Sequence, residues 1–334
     1  MRQEPRTLNQ LVQERKYWND VHQPKDYISF LNTCMIQPYP EHCAIIPLPK
    51  VNAQLVTGLP STMTLQPNAL KQLISRIGYD VKVYEGLSND INRLAMNYLN
   101  QKYEKQTMTK FRVVDNNQVR AILSDRYEDF DVLELLETIQ PVVNDMDGQV
   151  RWYDNSDQVM HLAVTFPNTS VEVKKGDVVE SGIWLSDSEV GFRSVTVGLY
   201  TYTLRCTNGL IARTNGDFFR FRHIGDGDMI RQAIKEGINA ILLKSHGIID
   251  KFKAAMNKAI KDKDTFLENI CKDNQFTQSE FKELIMNMSG SNEDLDNLYG
   301  LTQAVSFAAN KQSGEDAYKT QTLALTVLDK GLRN

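Results

Sequence analysis

The sequence predicts an α+β fold: a β-rich central region with a long hairpin, a mixed N-terminal region and a helical C-terminal region. Three observations carry that expectation. Residues 195–223 read VTVGLYTYTLRCTNGLIARTNGDFFRFRH, with β-branched and aromatic residues alternating on either side of a Thr-Asn-Gly turn signal. After residue 226 the apolar residues recur at the three-and-four spacing of a helix face. Before residue 110, prolines at 38, 40, 47, 49, 60 and 67 break up short apolar runs, which reads as loops and edge strands. The regions are therefore placed at 1–110, 111–225 and 226–334.

Each element has its own signal. Asn68 caps a short helix with Leu70, Leu73, Ile74 and Ile77 on one face, and Gly78 ends it. Ser88 starts a second helix, with Ile91, Leu94, Ala95, Tyr98 and Leu99 at helical spacing. Phe111 to Val114 and Gln118 to Leu123 flank Asp115-Asn116-Asn117, a hairpin signal. Residues 131–143 place Val132, Leu135, Leu136, Ile139 and Val142 on a helix stripe. Strands are expected at 160–166, 171–173 and 183–185 before the long hairpin. A long stripe from Met229 to Ile260 follows, which Gly247 is expected to kink or divide. Thr277 with Glu280 forms a capping-box pattern, and two further helices, about 293–310 and 315–330, close the chain.

Charge is uneven. The chain carries a formal net charge of -4, which argues against a surface coated in nucleic acid throughout. From Gly191 to His223, however, five arginines stand against Asp217 alone, a balance of +4. From Asp262 to Asn297, nine acids stand against three lysines, a balance of -6. That asymmetry steers a polyanion toward the hairpin, and it also fits two ordinary solvated faces.

Within the hairpin, arginines interleave with aromatic rings, as in single-stranded nucleic-acid grooves, where cations follow phosphates and rings stack on bases. The candidate binding residues are Arg193, Arg205, Arg213, Arg220 and Arg222 for phosphate, and Phe218, Tyr200 and Tyr202 for stacking. Lys174 and Lys175, at a hairpin tip, join them. If Asn208-Gly209 is a two-residue type I′ loop, Thr207 faces Leu210, and Tyr202 shares a face with Ile211 and Arg213. Without a bulge, Phe218, Arg220 and Arg222 join the Arg205 face, and Phe219 and Phe221 join the Tyr200 face. A bulge at Gly216 swaps the outer half.

Other chemistry has thinner support. Asp125, Glu128, Asp129 and Asp131 form an acidic run that could hold Mg²⁺ for phosphoryl transfer; a turn and a helix cap explain the same residues. The five histidines lack zinc spacing, and no P-loop, GxGxxG after a strand or GxSxG occurs, so neither a metal nor a cofactor is expected. His42-Cys43 with Cys34 lacks a fourth ligand. The four cysteines are scattered, the N-terminus has no apolar h-region, and no run approaches 18 apolar residues. A cytoplasmic protein without membrane contact is the expectation.

Three stretches together resemble a known family: VVDNNQVRAILSDRYEDFD (113–131), SEVGFRSVTVGLYTYTLRCTNGL (188–210) and YGLTQAVSF (299–307). In order and content they are similar to the phage/plasmid-like proteins of a domain-of-unknown-function family, over about residues 85–310. Gln303 stands where the family more often has Asn. The resemblance implies a phage or mobile-element protein acting in the bacterial host cytoplasm. More loosely, the chain resembles the single-stranded-DNA-binding RNA polymerase cofactors of podophages. The expected function is non-enzymatic single-stranded-DNA binding in viral transcription, replication or recombination. The acidic helical region would serve self-association into a homo-oligomer or recruitment of a phage or host RNA polymerase. The alternatives are a metal-dependent nuclease and a host-interaction or anti-defence protein.

Overall fold

Two sheets and their covering helices build the computed structural model, which describes residues 6–30, 34–37, 44–47, 63–76, 108–204, 208–211 and 218–333. Helix α1 (Leu8–His22) begins at a capping box: the Thr7 hydroxyl accepts from the Gln10 N–H, and the Gln10 side chain accepts from the Thr7 N–H. Strands β1 (Lys25–Phe30), β2 (Cys34–Gln37), β3 (Ala44–Pro47), β4 (Met63–Leu65), β5 (Met108–Val114) and β6 (Gln118–Ser124) form the first sheet, in the order β1-β5-β6-β4-β3-β2. Helix α2 (Pro67–Arg76) lies on β6 and buries Leu70, Leu73 and Ile74. The expected β5–β6 hairpin turns at Asp115-Asn116-Asn117, with φ of 52° and 66° at the first two, a geometry that Asp and Asn tolerate. β5 starts at Met108, so a boundary at residue 110 falls inside a strand, and residues 111–124 belong to the first sheet. The helix expected from Ser88, and His42 with Cys43, lie outside the described residues.

Helix α3 (Val132–Asp145) leads into the second sheet. Its strands are β7 (Gln149–Asn155), β8 (Met160–Thr165), β9 (Val171–Lys174), β10 (Asp177–Asp187), β11 (Val195–Thr203), β12 (Asn208–Ile211) and β13 (Phe218–Phe221). The order is β12-β11-β10-β8-β7, with β13 also on β11 and β9 also on β10. One face presents Leu162, Val164, Ile183, Leu185, Val195, Val197 and Leu199 to α3 and to helix α4 (Gly227–Met256). The other face is lined by Trp152, His161, Ala163, Trp184, Tyr200 and Tyr202.

Helices α5 (Lys263–Asp273), α6 (Gln278–Met288), α7 (Leu298–Ala309) and α8 (Gly314–Arg333) complete the helical C-terminal region. Thr277 and Glu280 make the expected capping box at α6. Helix α4 runs unbroken through Gly247. A helical glycine costs about 1 kcal/mol, which the burial of Ile238, Ile241, Ile248, Ile249 and Phe252 on either side outweighs. These helices, α1, α3 and the second sheet share one apolar core. Among the described residues, no helix is long and apolar enough to cross a membrane.

Candidate nucleic-acid interface

The hairpin expected at 195–223 is not one continuous ribbon. Thr203 pairs with Asn208, Tyr202 with Gly209 and Tyr200 with Ile211, so Asn208 and Gly209 lie in β12 and do not form a two-residue turn. The face sharing is as expected, since the register moves by an even step. The return strand β13 pairs with the first half of β11: Val195 with Phe221, Thr196 with Arg220, Val197 with Phe219 and Gly198 with Phe218. Phe219 and Phe221 therefore share the Val195–Val197 face, where they pack against Gly237 of α4. Phe218 and Arg220 point to the other side, the Tyr200 face. Relative to β12, β13 therefore has the faces exchanged, as expected for a swapped outer half; Gly216 lies outside the described residues.

This register sorts the candidates. Arg220 and Arg222 are exposed, and among the described residues neither has a carboxylate partner. Phe218 is half-buried beside them. Tyr200 is a correction: it is 1 % exposed, inside a cluster with Trp184, Ile211 and Tyr318, and cannot stack on a base there. Tyr202 is half-buried, with the Arg151 guanidinium 4.7 Å from its ring centroid. Arg193 is drawn away into an ion pair with Glu315 at 2.6 Å. Arg205 and Arg213 lie outside the described residues. Lys174 and Lys175 are exposed at the β9–β10 turn, beside the end of β11 marked by Thr203. From there to Thr196, opposite Arg220, is seven residues of strand, roughly 23 Å. The expected site thus divides between the two ends of the second sheet.

One ring was missed by sequence reasoning. Phe192 is 50 % exposed and precedes β11 by three residues, at the end where Arg222 follows β13. Ile224, 58 % exposed, bridges to Tyr127 at that same end. The Phe192-Arg193 dipeptide, a ring beside a cation, was the available signal.

The acidic run has a structural role. Asp129 pairs with Lys110, and Asp131 with Arg112 at 2.5 Å. Arg112 also grips Asp26 through two bonds of 2.8 and 3.0 Å and donates to the Glu189 carbonyl at 2.8 Å. Glu189 is the hub. Its carboxylate accepts from Arg15, from Arg120 at 2.5 Å and from the Val132 N–H at 2.9 Å, the first turn of α3. Among the described residues, no three His, Cys, Asp or Glu side chains stand where they could hold a metal ion together. Burial alone would raise the Glu189 carboxyl, but the guanidinium groups of Arg15 and Arg120 hold it down to about 2. Burial pushes Asp131 up to about 7, against the pull of Arg112 and with the push of Glu189, Glu134 and Asp26.

The Asp131 shift sets a pH window. A carboxyl raised by folding binds its proton more tightly in the native state, so its stabilisation is present below about pH 4 and lost as the pH rises through about 7. Asp131→Asn keeps a capping side chain and mimics the protonated acid. The unfolding free energy of this variant, from urea denaturation, is expected to vary less across that window than that of wild type, by at least about 1 kcal/mol.

No family model, curated protein or solved structure matches the chain. The motifs that carry the sequence resemblance nonetheless meet in space at two joints. At the first, Arg120 bonds Glu189, and the Tyr127 hydroxyl donates to the Ser188 carbonyl at 2.6 Å. Gly191, with φ of 74°, lies where a Cβ would fall 2.7 Å from Leu123. At the second, the Ser306 hydroxyl donates to the Gly209 carbonyl at 2.5 Å, and Thr203 bonds Gln303 at 3.3 Å. These motif residues tie elements together from inside, and the exposed cations stand apart from them.

Proposed function

We propose that the chain binds single-stranded DNA without catalysing a reaction, through the end of the second sheet where β13 leaves β11. The observation that carries this reading is Arg220 and Arg222, exposed and alternate in sequence after Phe218, with the exposed ring of Phe192 at the same end. Cations take phosphates there and rings take bases, with no sequence demanded. Lys174 and Lys175 form a second cationic point that only a longer oligonucleotide reaches at the same time. In the phage or mobile-element setting implied by the resemblance, the process served is transcription, replication or recombination in the bacterial cytoplasm. The acidic region from Asp262 to Asn297 would meet a protein, either a polymerase or another copy of the chain.

The test is a salt-titrated binding curve with a labelled single-stranded oligonucleotide. Each phosphate contact contributes about -0.7 to the log–log slope, so Arg220→Gln with Arg222→Gln is expected to flatten it by about 1.4 and weaken binding roughly tenfold at low salt. Phe192→Ala is expected to weaken binding by about 1–3 kcal/mol with the slope unchanged. Wild-type affinity indifferent to salt, or no binding at micromolar protein, would end the reading.

A further inference from the structure

Arg193 stands next to Phe192, at the sheet end that carries Arg220 and Arg222, yet its charge is engaged. Its Nη2 donates to Glu315 Oε2 at 2.6 Å, and its guanidinium lies over the Tyr318 ring, 4.6 Å from the centroid. The other Glu315 oxygen, Oε1, lies 2.9 Å from His161 Nε2. Glu315 and Tyr318 are three residues apart on α8, so one helix face presents an anion and a flat ring together. The ring is stacked 4.7 Å from Trp184 and 5.0 Å from His161. An anion with its two oxygens on separate nitrogen partners, beside a stacked ring, is what a nucleotide offers such a surface. Glu315 is also accessible: its side chain is 46 % exposed, against 19 % for Arg193. Exchanging its carboxylate for a phosphate needs one glutamate side chain to rotate, with Tyr318 left in place.

We infer that Glu315 acts in cis as a stand-in for a backbone phosphate, competing with single-stranded DNA for Arg193 and so setting the affinity of the surface. This rests on the single-stranded-DNA reading and adds a competitor to it. It explains why the arginine next to the exposed Phe192 ring is paired while, among the described residues, Arg220 and Arg222 have no carboxylate partner.

Glu315→Gln keeps the side-chain shape and removes the charge. With an oligo-dT probe, this variant is expected to bind roughly two- to fivefold tighter at low salt, with a slope steeper by about 0.7. Asp316→Asn removes the same charge one residue further on and is expected to leave the slope as in wild type. In Arg193→Gln with Glu315→Gln, the gain should vanish. If wild type binds and Glu315→Gln matches it in affinity and slope, the competition is overturned and the DNA surface stands. If neither binds, both ideas fall. Should the variant melt early, the wild-type chain supplies a second measurement. Saturating oligo-dT should shift the His161 imidazole resonances as Glu315 leaves, and unmoved resonances at saturation overturn the inference.

Discussion

Glu189→Ala is expected to lower the melting midpoint by on the order of 10 °C. The carboxylate is fully buried and bonds Arg15 and Arg120, which are themselves almost wholly enclosed. Removing it strands two guanidinium charges away from water, and breaking a buried ion pair from one side costs about 3–5 kcal/mol. The Val132 N–H, at the start of α3, loses its acceptor as well. The pH dependence carries the same sign. Folding holds this carboxyl down to about 2, below its ordinary value of 4.5. Its stabilisation is therefore present above pH 4.5, worth about 3 kcal/mol, and is lost as the pH falls from there toward 2. Thermal melts at neutral pH should separate Glu189→Ala from wild type widely. As the solution is acidified through that range, the two should converge. A gap that persists at low pH would mean the glutamate acts by packing and not by charge.

That hub also marks where sequence reading stops. Local patterns were legible because their causes are local. The α4 stripe, the Asp115-Asn116-Asn117 turn and the Thr277–Glu280 box each depend on residues within a turn or two of one another. Helix α1 was not legible. Its buried set is Leu8, Leu11, Val12 and Arg15, and an arginine reads as solvent-facing until Glu189, 174 residues away, is known to meet it. The pairing of Arg193 was illegible for the same reason, because its partner Glu315 lies 122 residues downstream. Of the candidate residues, Arg220 is exposed on an edge strand. Tyr200 is enclosed, because another segment closes over its face. Edge exposure follows from which strands pair, and pairing between distant strands leaves no local trace in residue spacing.

The Asn208-Gly209 pair shows how a strong local signal loses to packing, and it supplies the second large expected effect. Asn-Gly is a leading type I′ turn signal because both residues accept positive φ. Here Gly209 lies in β12 opposite Tyr202, without left-handed backbone. What requires glycine is the Tyr200 ring. A methyl group at position 209 would lie 2.0 Å from the Tyr200 hydroxyl oxygen and 2.7 and 2.8 Å from two ring carbons. Tyr200 is held in its cluster with Trp184 and Tyr318, so the ring has little room to yield. Gly209→Ala is therefore expected to destabilise the fold by about 1–3 kcal/mol, the usual cost of forcing extra volume into a packed core. Tyr200→Phe removes the atom in closest conflict and leaves the two carbons. In the double variant the loss should be partly recovered, giving a coupling that urea denaturation of the four-protein cycle can measure. If glycine served a turn instead, the cost would be backbone strain indifferent to residue 200, and the two substitutions would add. Additive losses would put Gly209 back in a turn and undo the β11–β12 register, and with it the assignment of Tyr200 to the interior.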